Sequence, residues 1–287
     1  MIQYDQFPRA IEIQTNSYCN SGCTICPYRE VSGSLPSGVM SQSLFESIIN
    51  QIHAHPETKI VPYFNNEPFL DRTIVKRLKL INNICPNNEI EISTNGQCLT
   101  KKIQNQLQGV NIHDLRVSIF GFRPITHKQV MPGLDWPVVK NNLDCLVKDK
   151  KLRANIDHLS IIMVAYPGLS EEDIGLAKKY CKDNFVSFKL WGFFDRGGNV
   201  KEYSNKFSKT EVVGCYQDRP LMRLHVLFDG RVVLCCMDWK QHFVMGDLNV
   251  QTIQEVWDSA QYQDIRKKIY SPNEEAPKLC QKCILAK

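Results

Sequence analysis

Three cysteines close to the start of the chain constrain its fold more than any other feature. They are Cys19, Cys23 and Cys26, in the run CNSGCTICPYRE, with the spacing Cys-x3-Cys-x2-Cys. A short strand-like segment, residues 11–15, precedes them. Thiolates are the ligands that iron–sulfur clusters select, and three of them on one tight loop can hold three irons of a cubane and leave the fourth open to a small molecule. A zinc loop is the alternative, although structural zinc normally takes four ligands.

The composition is that of an ordinary globular protein. Of 287 residues, 43% are hydrophobic and 23% are charged. The formal net charge of +5 is small and dispersed, so no nucleic-acid partner is expected. The first residues lack the apolar core of a signal peptide, and no run of 18 apolar residues predicts a membrane span. Twelve cysteines in such a chain favour metal ligation in a reducing cytoplasm over disulfides.

Strand-like and helical patterns alternate over the first two thirds of the chain. The predicted strands are residues 11–15, 59–64, 90–94, 115–120, 159–164 and 186–190. The predicted helices are residues 43–54, 73–83, 101–108, 136–148 and 171–182, the first capped by Ser41 or Ser43. This order predicts an α/β fold with a parallel sheet rolled into an open, partial (β/α)6 barrel. Ligands bind at the carboxyl ends of such strands, where the cysteine loop lies.

The pattern changes near residue 214. Residues 224–228 and 231–235 predict a β-hairpin with a two-residue turn at Asp229 and Gly230. A helix over residues 252–269 is predicted to begin at Thr252, with Glu255 three residues later as in a capping box. We therefore expect two domains, residues 1–205 and residues 206–287. The second is a small β-hairpin-plus-helix cluster-binding domain.

The first cysteine motif resembles the signature of the radical S-adenosylmethionine (radical SAM) enzymes, and three later segments extend the resemblance. Asn65-Asn66-Glu67-Pro68 stands where the family has a Gly-Gly-Glu-type segment, Ser93-Thr94-Asn95-Gly96 resembles a Thr-Asn-Gly motif, and Arg196-Gly197-Gly198-Asn199 resembles an Arg-x-Gly-Asn segment. Two departures are Ile25, where an aromatic residue is usual, and the loss of the two glycines before Glu67. The resemblance implies a SAM-binding [4Fe–4S] cluster on the three cysteines, with SAM contacts from Asn66, Glu67, Thr94, Asn95, Ser118 and Arg196.

A second set of cysteines resembles the truncated SPASM, or twitch, domain that follows the barrel in one branch of this family. The resemblance implies a second, auxiliary [4Fe–4S] cluster with four protein ligands, Cys215, Cys235, Cys280 and Cys283. A zinc ribbon is the alternative, but only one of its two Cys-x2-Cys arms is present. Cys236 adjoins Cys235 in a predicted strand, so its side chain is expected on the opposite face. Either cysteine can be the ligand, and the spacing in relatives favours Cys235.

The resemblance also implies the chemistry. An external electron donor such as flavodoxin or ferredoxin reduces the first cluster, SAM is cleaved, and the 5′-deoxyadenosyl radical takes a hydrogen atom from a substrate C–H bond. Transfer of an electron to the auxiliary cluster then gives oxidation. Return of a hydrogen atom by a thiol, with Cys236 as the catalytic candidate, gives epimerisation. Packing is the simpler interpretation of that thiol.

The substrate class is less constrained. The motif begins at Cys19, which leaves no room before it for the leader-binding module of many peptide-modifying relatives. We therefore expect a small sugar or aminocyclitol-like substrate in natural-product biosynthesis. A ribosomal peptide substrate and a non-catalytic iron–sulfur or zinc protein are the alternatives.

The remaining polar residues gave weaker predictions. The seven histidines are scattered without metal or triad spacing, so they are expected to be ordinary core or surface residues. Oxidation of an alcohol also requires a base for the hydroxyl proton. The acidic candidates for that base are Glu30, Asp195 and Asp238.

Overall fold

A computed structural model describes residues 3–200 and 208–287 of the chain. Its strands are β1 Ala10–Ile13, β2 Lys59–Val61, β3 Glu91–Thr94, β4 Ile112–Ser118, β5 Ile156–Ala165, β6 Ser187–Gly192, β7 Arg223–Val226, β8 Arg231–Val233 and β9 Val244–Asp247. Its α-helices are α1 Tyr28–Val31, α2 Gln42–Ile52, α3 Ile74–Ile84, α4 Lys101–Leu107, α5 Pro124–Val130, α6 Trp136–Lys148, α7 Lys150–Arg153, α8 Glu171–Asp183, α9 Arg219–Met222, α10 Ile253–Trp257, α11 Ala260–Tyr270 and α12 Lys278–Gln281.

The first six strands follow one another in space in the order of the sequence. Strand β1 pairs in parallel with β2, and a parallel bridge between Ile60 and Ile90 leads from β2 towards β3. Strands β3, β4, β5 and β6 form a four-stranded parallel sheet. The predicted α/β fold with an open, partial barrel is confirmed. All six predicted strands and all five predicted helices of this part are present.

Amphipathic helices cover the outside of the barrel. Helix α2 begins after Ser41, whose hydroxyl accepts a hydrogen bond from the backbone N–H of Leu44, as predicted. The buried residues of α2 recur every three or four positions, so they form one face: Leu44, Phe45, Ile48, Ile49 and Ile52. Each buried aliphatic side chain contributes about 1.5–3 kcal/mol to folding. Among the described residues, no helix combines the length and the apolar character needed to cross a membrane.

The C-terminal hairpin is continuous with the barrel rather than separate from it. Strand β7 pairs in parallel with β1, with Ile11 opposite Leu224 and Glu12 opposite His225. Strands β8 and β9 follow in antiparallel pairing, so the sheet order is β2-β1-β7-β8-β9. The predicted domain boundary between residues 205 and 206 lies outside the described residues.

Two local predictions in this part were wrong. The hairpin connection has three residues, because the N–H of Gly230 donates to the carbonyl of Leu227 and the N–H of Leu227 donates to the carbonyl of Arg231. Gly230 has φ +94°, a left-handed conformation that suits glycine at the end of a three-residue link. The predicted helix 252–269 is two helices, α10 and α11, since Ser259 caps a new helix by accepting from the N–H of Tyr262. The capping box of Thr252 and Glu255 is confirmed.

A buried arginine fastens helix α11 to the N-terminal segment. The guanidinium of Arg266 lies 4.0–4.2 Å from the ring centroids of Tyr4, Trp257 and Tyr262. It also donates hydrogen bonds to the carbonyls of Pro220 and Trp257, at 3.0 and 2.7 Å. These contacts hold both ends of the chain against the same side of the barrel.

Candidate active site

A cavity of about 750 Å³ opens at the carboxyl ends of the barrel strands. Its walls bring together ten of the predicted site residues from across the chain: Cys19, Cys23, Cys26, Asn66, Glu67, Thr94, Asn95, Ser118, Arg196 and Cys236. A volume in this range is typical of small-molecule sites.

The cysteine loop after β1 is held in place by its own chain. The backbone N–H of Cys19 donates to the phenol oxygen of Tyr28 at 2.8 Å, and that phenol donates to the carbonyl of Ser17 at 3.1 Å. The N–H of Gly22 donates to the carbonyl of Pro132 at 2.7 Å. These hydrogen bonds tie the cysteine loop to Tyr28 and to the segment that contains Pro132.

Burial makes the three thiols of this loop difficult to ionise. It raises the pKa of Cys19 to about 12, and the neighbouring Glu67 and Cys26 add to the effect. The pKa values of Cys23 and Cys26 are raised as well, again chiefly by burial. A bound metal favours the thiolate, because only the deprotonated form is a ligand. Three partly buried thiols on one short loop therefore fit an iron–sulfur cluster.

Glu67 is buried next to this loop, and both of its carboxylate oxygens accept hydrogen bonds from other residues of the protein. Its Oε1 accepts from the hydroxyl of Thr94 at 2.7 Å and from the N–H of Phe69 at 3.1 Å, and its Oε2 accepts from the N–H of Asn95 at 2.8 Å. Burial nevertheless raises the pKa of Glu67 to about 7, against the effect of these hydrogen bonds. Glu67 thus fixes the ends of strands β2 and β3 relative to each other.

The other predicted SAM contacts differ in their availability. The side-chain amide of Asn95 donates to Asn20 at 2.7 Å, and Ser118 lies 3.2 Å from the hydroxyl of Ser93. Asn66 is the most available donor, because its buried Nδ2 has no hydrogen-bond partner among residues 3–200 and 208–287. Arg196 has φ +56°. Burial raises the pKa of Cys26, and the positive charge of Arg196 offsets part of that rise. An unpaired amide and a guanidinium beside the cysteine loop fit a ligand with a carboxylate.

Three of the four predicted auxiliary ligands lie on a closed C-terminal module. Cys215 forms an antiparallel bridge with Ala286, which follows the Cys-x2-Cys pair. Burial raises the pKa of Cys280 to about 12, and the proximity of Cys283 and Cys215 raises it further. Sequence-distant thiols are therefore brought close together here.

The prediction that Cys235 and Cys236 lie on opposite faces of a strand was wrong. Strand β8 ends at Val233, so both cysteines lie in the turn that follows. A hydrogen bond with Cys235, together with burial, raises the pKa of Cys236 well above its usual range. Cys236 lines the cavity and its Sγ contacts the guanidinium of Arg219, whereas Cys235 is not among the cavity-lining residues described. This placement leaves Cys236 on the cavity side.

Sequence reasoning missed a polar group where β1 meets β7, which we call the Glu12 cluster: Glu12, His225, Arg223, Arg219 and Cys236. One ligand atom each of Glu12, His225 and Cys236 lies within 4.8 Å of the others. Two guanidiniums contact these atoms, Arg223 on Glu12 at 3.0 Å and Arg219 on Cys236, and this positive charge opposes a bound cation. His225 is fully buried, as a core residue is, but it lies beside Glu12 and Cys236, a grouping that the sequence did not indicate.

The acidic residues predicted as bases lie elsewhere. Glu30 lines a separate cavity beside Lys240 and His242. Asp238 accepts from the N–H groups of His242 and Phe243, and Asp195 accepts from the N–H of Gly197. None of the three belongs to the described lining of the main cavity, whereas Glu12 does. The sequence feature that could have indicated Glu12 is a charged residue inside the otherwise apolar first strand.

Two family models match the chain. The radical SAM superfamily matches residues 13–181, and an iron–sulfur cluster-binding domain, SPASM, matches residues 215–284. Both matches favour iron–sulfur clusters over the zinc alternatives at the two cysteine sets.

Curated relatives are distant in sequence. The S-adenosyl-L-methionine-dependent 2-deoxy-scyllo-inosamine dehydrogenase of Niallia circulans is 22% identical over 97% of this chain and 94% of its own length. The GTP 3′,8-cyclase of Limosilactobacillus fermentum is 24% identical over 71% of this chain, and the match spans 60% of that enzyme.

Solved structures share the fold over nearly the whole chain. BtrN in complex with AdoMet and 2-DOIA has a TM-score of 0.63 at 21% identity, covering 98% of this chain and 94% of BtrN. SuiB of Streptococcus suis, bound to its precursor peptide SuiA, has a TM-score of 0.72 at 15% identity, covering 98% of this chain and 71% of SuiB. Since the first family model spans more than half of its residues, this protein belongs to the radical SAM superfamily.

Proposed function

We propose that the protein abstracts a hydrogen atom from a hydroxylated carbon of a small sugar or aminocyclitol-like substrate and oxidises that carbon to a carbonyl. One observation carries the proposal. A single cavity is lined by the cysteine loop, by polar residues that include the unpaired amide of Asn66, and by the thiol of Cys236 next to a predicted auxiliary ligand. The dehydrogenase relative, which aligns over almost its entire length, supports an alcohol as the reacting group.

The residues of the barrel half of the cavity have binding roles in this proposal. Cys19, Cys23 and Cys26 hold the cluster that binds SAM. Bound SAM supplies the 5′-deoxyadenosyl radical. The unpaired Nδ2 of Asn66 and the guanidinium of Arg196 orient the SAM carboxylate, while Glu67, held by three hydrogen bonds, keeps the strand ends in register. Thr94, Asn95 and Ser118 complete this side of the wall.

The C-terminal module supplies the electron acceptor for oxidation. Cys215, Cys235, Cys280 and Cys283 are the proposed ligands of the auxiliary cluster. Cys236 adjoins Cys235 and lines the cavity, so a cluster held by Cys235 would lie next to the cavity wall. We further propose that flavodoxin or ferredoxin reduces the first cluster in the cytoplasm, an environment that suits twelve free cysteines.

Epimerisation is the second candidate, and the position of Cys236 favours it. A thiol on the cavity wall can return a hydrogen atom to the opposite face of a substrate radical, so the substrate is not oxidised overall. The thiyl radical left on Cys236 would then take one electron from the external donor and one proton, which restores the thiol. The same carbon then keeps its hydroxyl and changes its configuration.

Deuterium transfer tests both candidates. The reconstituted enzyme is supplied with SAM, a reductant and three carbinol-deuterated polyols: 2-deoxy-scyllo-inosamine, scyllo-inositol and glucosamine. We expect deuterium in 5′-deoxyadenosine and a ketone two mass units below the unlabelled alcohol, in the wild type and in Cys236→Ala alike. A product of unchanged oxidation state that has lost its carbinol deuterium and gained a solvent-derived hydrogen atom, and that Cys236→Ala does not form, would establish epimerisation. Transfer only from a peptide would refute a polyol substrate.

A further inference from the structure

The Glu12 cluster is built from two strands that lie far apart in sequence. Glu12 on β1 and His225 on β7 are register partners, and Arg223 lies two residues before His225 on the same face of β7. Glu12 and Arg223 line the cavity, and His225 is fully buried beside them. The cluster therefore faces the space in which a substrate binds.

Two guanidiniums lie beside the carboxylate of Glu12. Nη1 of Arg223 lies 3.0 Å from Oε1 of Glu12, a charge-assisted contact. The other groups that face Glu12 are the guanidinium of Arg219, the imidazole of His225, the thiol of Cys236 and the phenol of Tyr63. With Arg223 and Arg219 as its cationic neighbours, Glu12 is held in one position on the cavity wall.

His225 is incomplete without a further polar contact. Both ring nitrogens are buried and have no hydrogen-bond partner in the described part of the chain. Its Nε2 lies 3.6 Å from Oε1 of Glu12, slightly beyond hydrogen-bond distance, and the ring of Phe64 packs against it with centroids 5.4 Å apart. A buried polar group without a partner destabilises the fold, so this arrangement suits a site that gains a hydrogen-bonding partner in use.

We propose that Glu12 is the catalytic base that accepts the substrate's hydroxyl proton, with His225 positioned to hydrogen-bond to the carboxyl group once it is protonated. This inference rests on the proposed oxidation. After hydrogen abstraction the substrate is a carbon radical that bears a hydroxyl group. The O–H bond breaks, its proton forms a carboxylic acid at Glu12, and the carbon–oxygen double bond forms as the radical loses one electron. An auxiliary iron–sulfur cluster held by the C-terminal cysteines would be the one-electron oxidant.

The test separates hydrogen abstraction from carbonyl formation. Wild type, Glu12→Gln, His225→Asn and the control Glu89→Gln react with whichever deuterated polyol of the three the wild type uses. Glu89 is a suitable control because it is half-exposed and pairs with Lys59 and His113, away from the cavity lining. The readouts are iron content, deuterium in 5′-deoxyadenosine, ketone formed per 5′-deoxyadenosine, and the electron paramagnetic resonance spectrum after rapid freezing.

In Glu12→Gln we expect unchanged iron and deuterium transfer, about 100-fold less ketone per 5′-deoxyadenosine, and an accumulated organic radical signal. His225→Asn shows the same pattern with a smaller loss, because His225 acts only through Glu12. Wild-type ketone yield per abstraction in Glu12→Gln would overturn the proposal. A redox-neutral product would overturn it while leaving hydrogen abstraction intact. The absence of deuterium transfer from all three polyols in the wild type would overturn the proposed function, and this inference with it.

Discussion

At the scale of single residues, local spacing was enough to predict the cysteine loop, because its three thiols lie within eight consecutive residues. The Glu12 cluster could not be predicted in this way. Glu12 and His225 meet only because β7 pairs with β1, and no sequence pattern indicated that pairing. The sequence singled out the thiol of Cys236 as a catalytic candidate, which stays a prediction, and the structure places that thiol on the cavity wall. The expected alternation of Cys235 and Cys236 along a strand was wrong, because β8 ends at Val233.

His127 gives a prediction about acid stability. Its ring is fully buried, and burial lowers its pKa from 6.5 to about 4. As the pH falls, His127 is therefore protonated in the unfolded chain at a higher pH than in the folded protein. The free energy of unfolding falls as the pH drops from about 6.5 towards 4. Between pH 7 and pH 5 we expect the unfolding free energy of the wild type to fall by about 1–2 kcal/mol more than that of His127→Leu.

Urea denaturation at both pH values measures this effect. The exposed His242→Gln variant serves as the control and should behave like the wild type. An equal loss of stability in His127→Leu and the wild type would show that His127 does not titrate on unfolding.

At the scale of elements, Asp173 joins the beginnings of helices α5 and α8. Burial raises its pKa, but hydrogen bonds from Arg123, Ser170 and Thr126 outweigh burial and lower it to about 2. Its Oδ1 also accepts from the N–H of Phe122 at 2.7 Å. We expect Asp173→Asn to cost about 2 kcal/mol at pH 7.

The pH dependence gives the sign of this effect. A lowered carboxyl pKa stabilises the fold above the unfolded value near 3.8, and the stabilisation is lost as the pH falls towards 2. The difference in unfolding free energy between Asp173→Asn and the wild type, measured by chemical denaturation, should therefore become smaller in acid. Glu171→Gln, an exposed change in the same helical turn, is the matched control, and an equal cost in both variants would refute a specific role.

Arg266 gives a second prediction at this scale. Replacing it with Leu removes two hydrogen bonds to backbone carbonyls and the contacts with three aromatic rings. We expect thermal unfolding to show a loss of about 2–4 kcal/mol. Lys267→Leu alters the exposed neighbour and should leave stability unchanged, so similar losses in the two variants would contradict the proposed fastening role.

The helices of the barrel were predictable because their apolar periodicity and caps lie within each segment, as in α2 and its cap Ser41. The break between α10 and α11 was missed because the apolar spacing continues through it. Ser259 there accepts from the N–H of Tyr262 and starts a second helix.

At the scale of the whole molecule, the sequence predicted an open barrel and a cysteine-rich C-terminal part, and it treated them as separate. The structure joins them through β7, which places Cys236 and the guanidiniums of Arg219 and Arg223 in the wall of the barrel cavity. The cavity is therefore a product of both parts of the chain. Strand pairing between distant segments is the information that local patterns lack.

The central claim is that two separate cysteine sets hold two clusters. It is tested most directly by counting iron and sulfide after anaerobic reconstitution. We predict about eight irons per chain in the wild type and about four in two variants, Cys19/Cys23/Cys26→Ala and Cys280/Cys283→Ala. Substitution of Cys98, a cysteine in neither set, should leave the count unchanged. About four irons in the wild type, all lost in the first variant, or zinc in place of iron, would contradict the account.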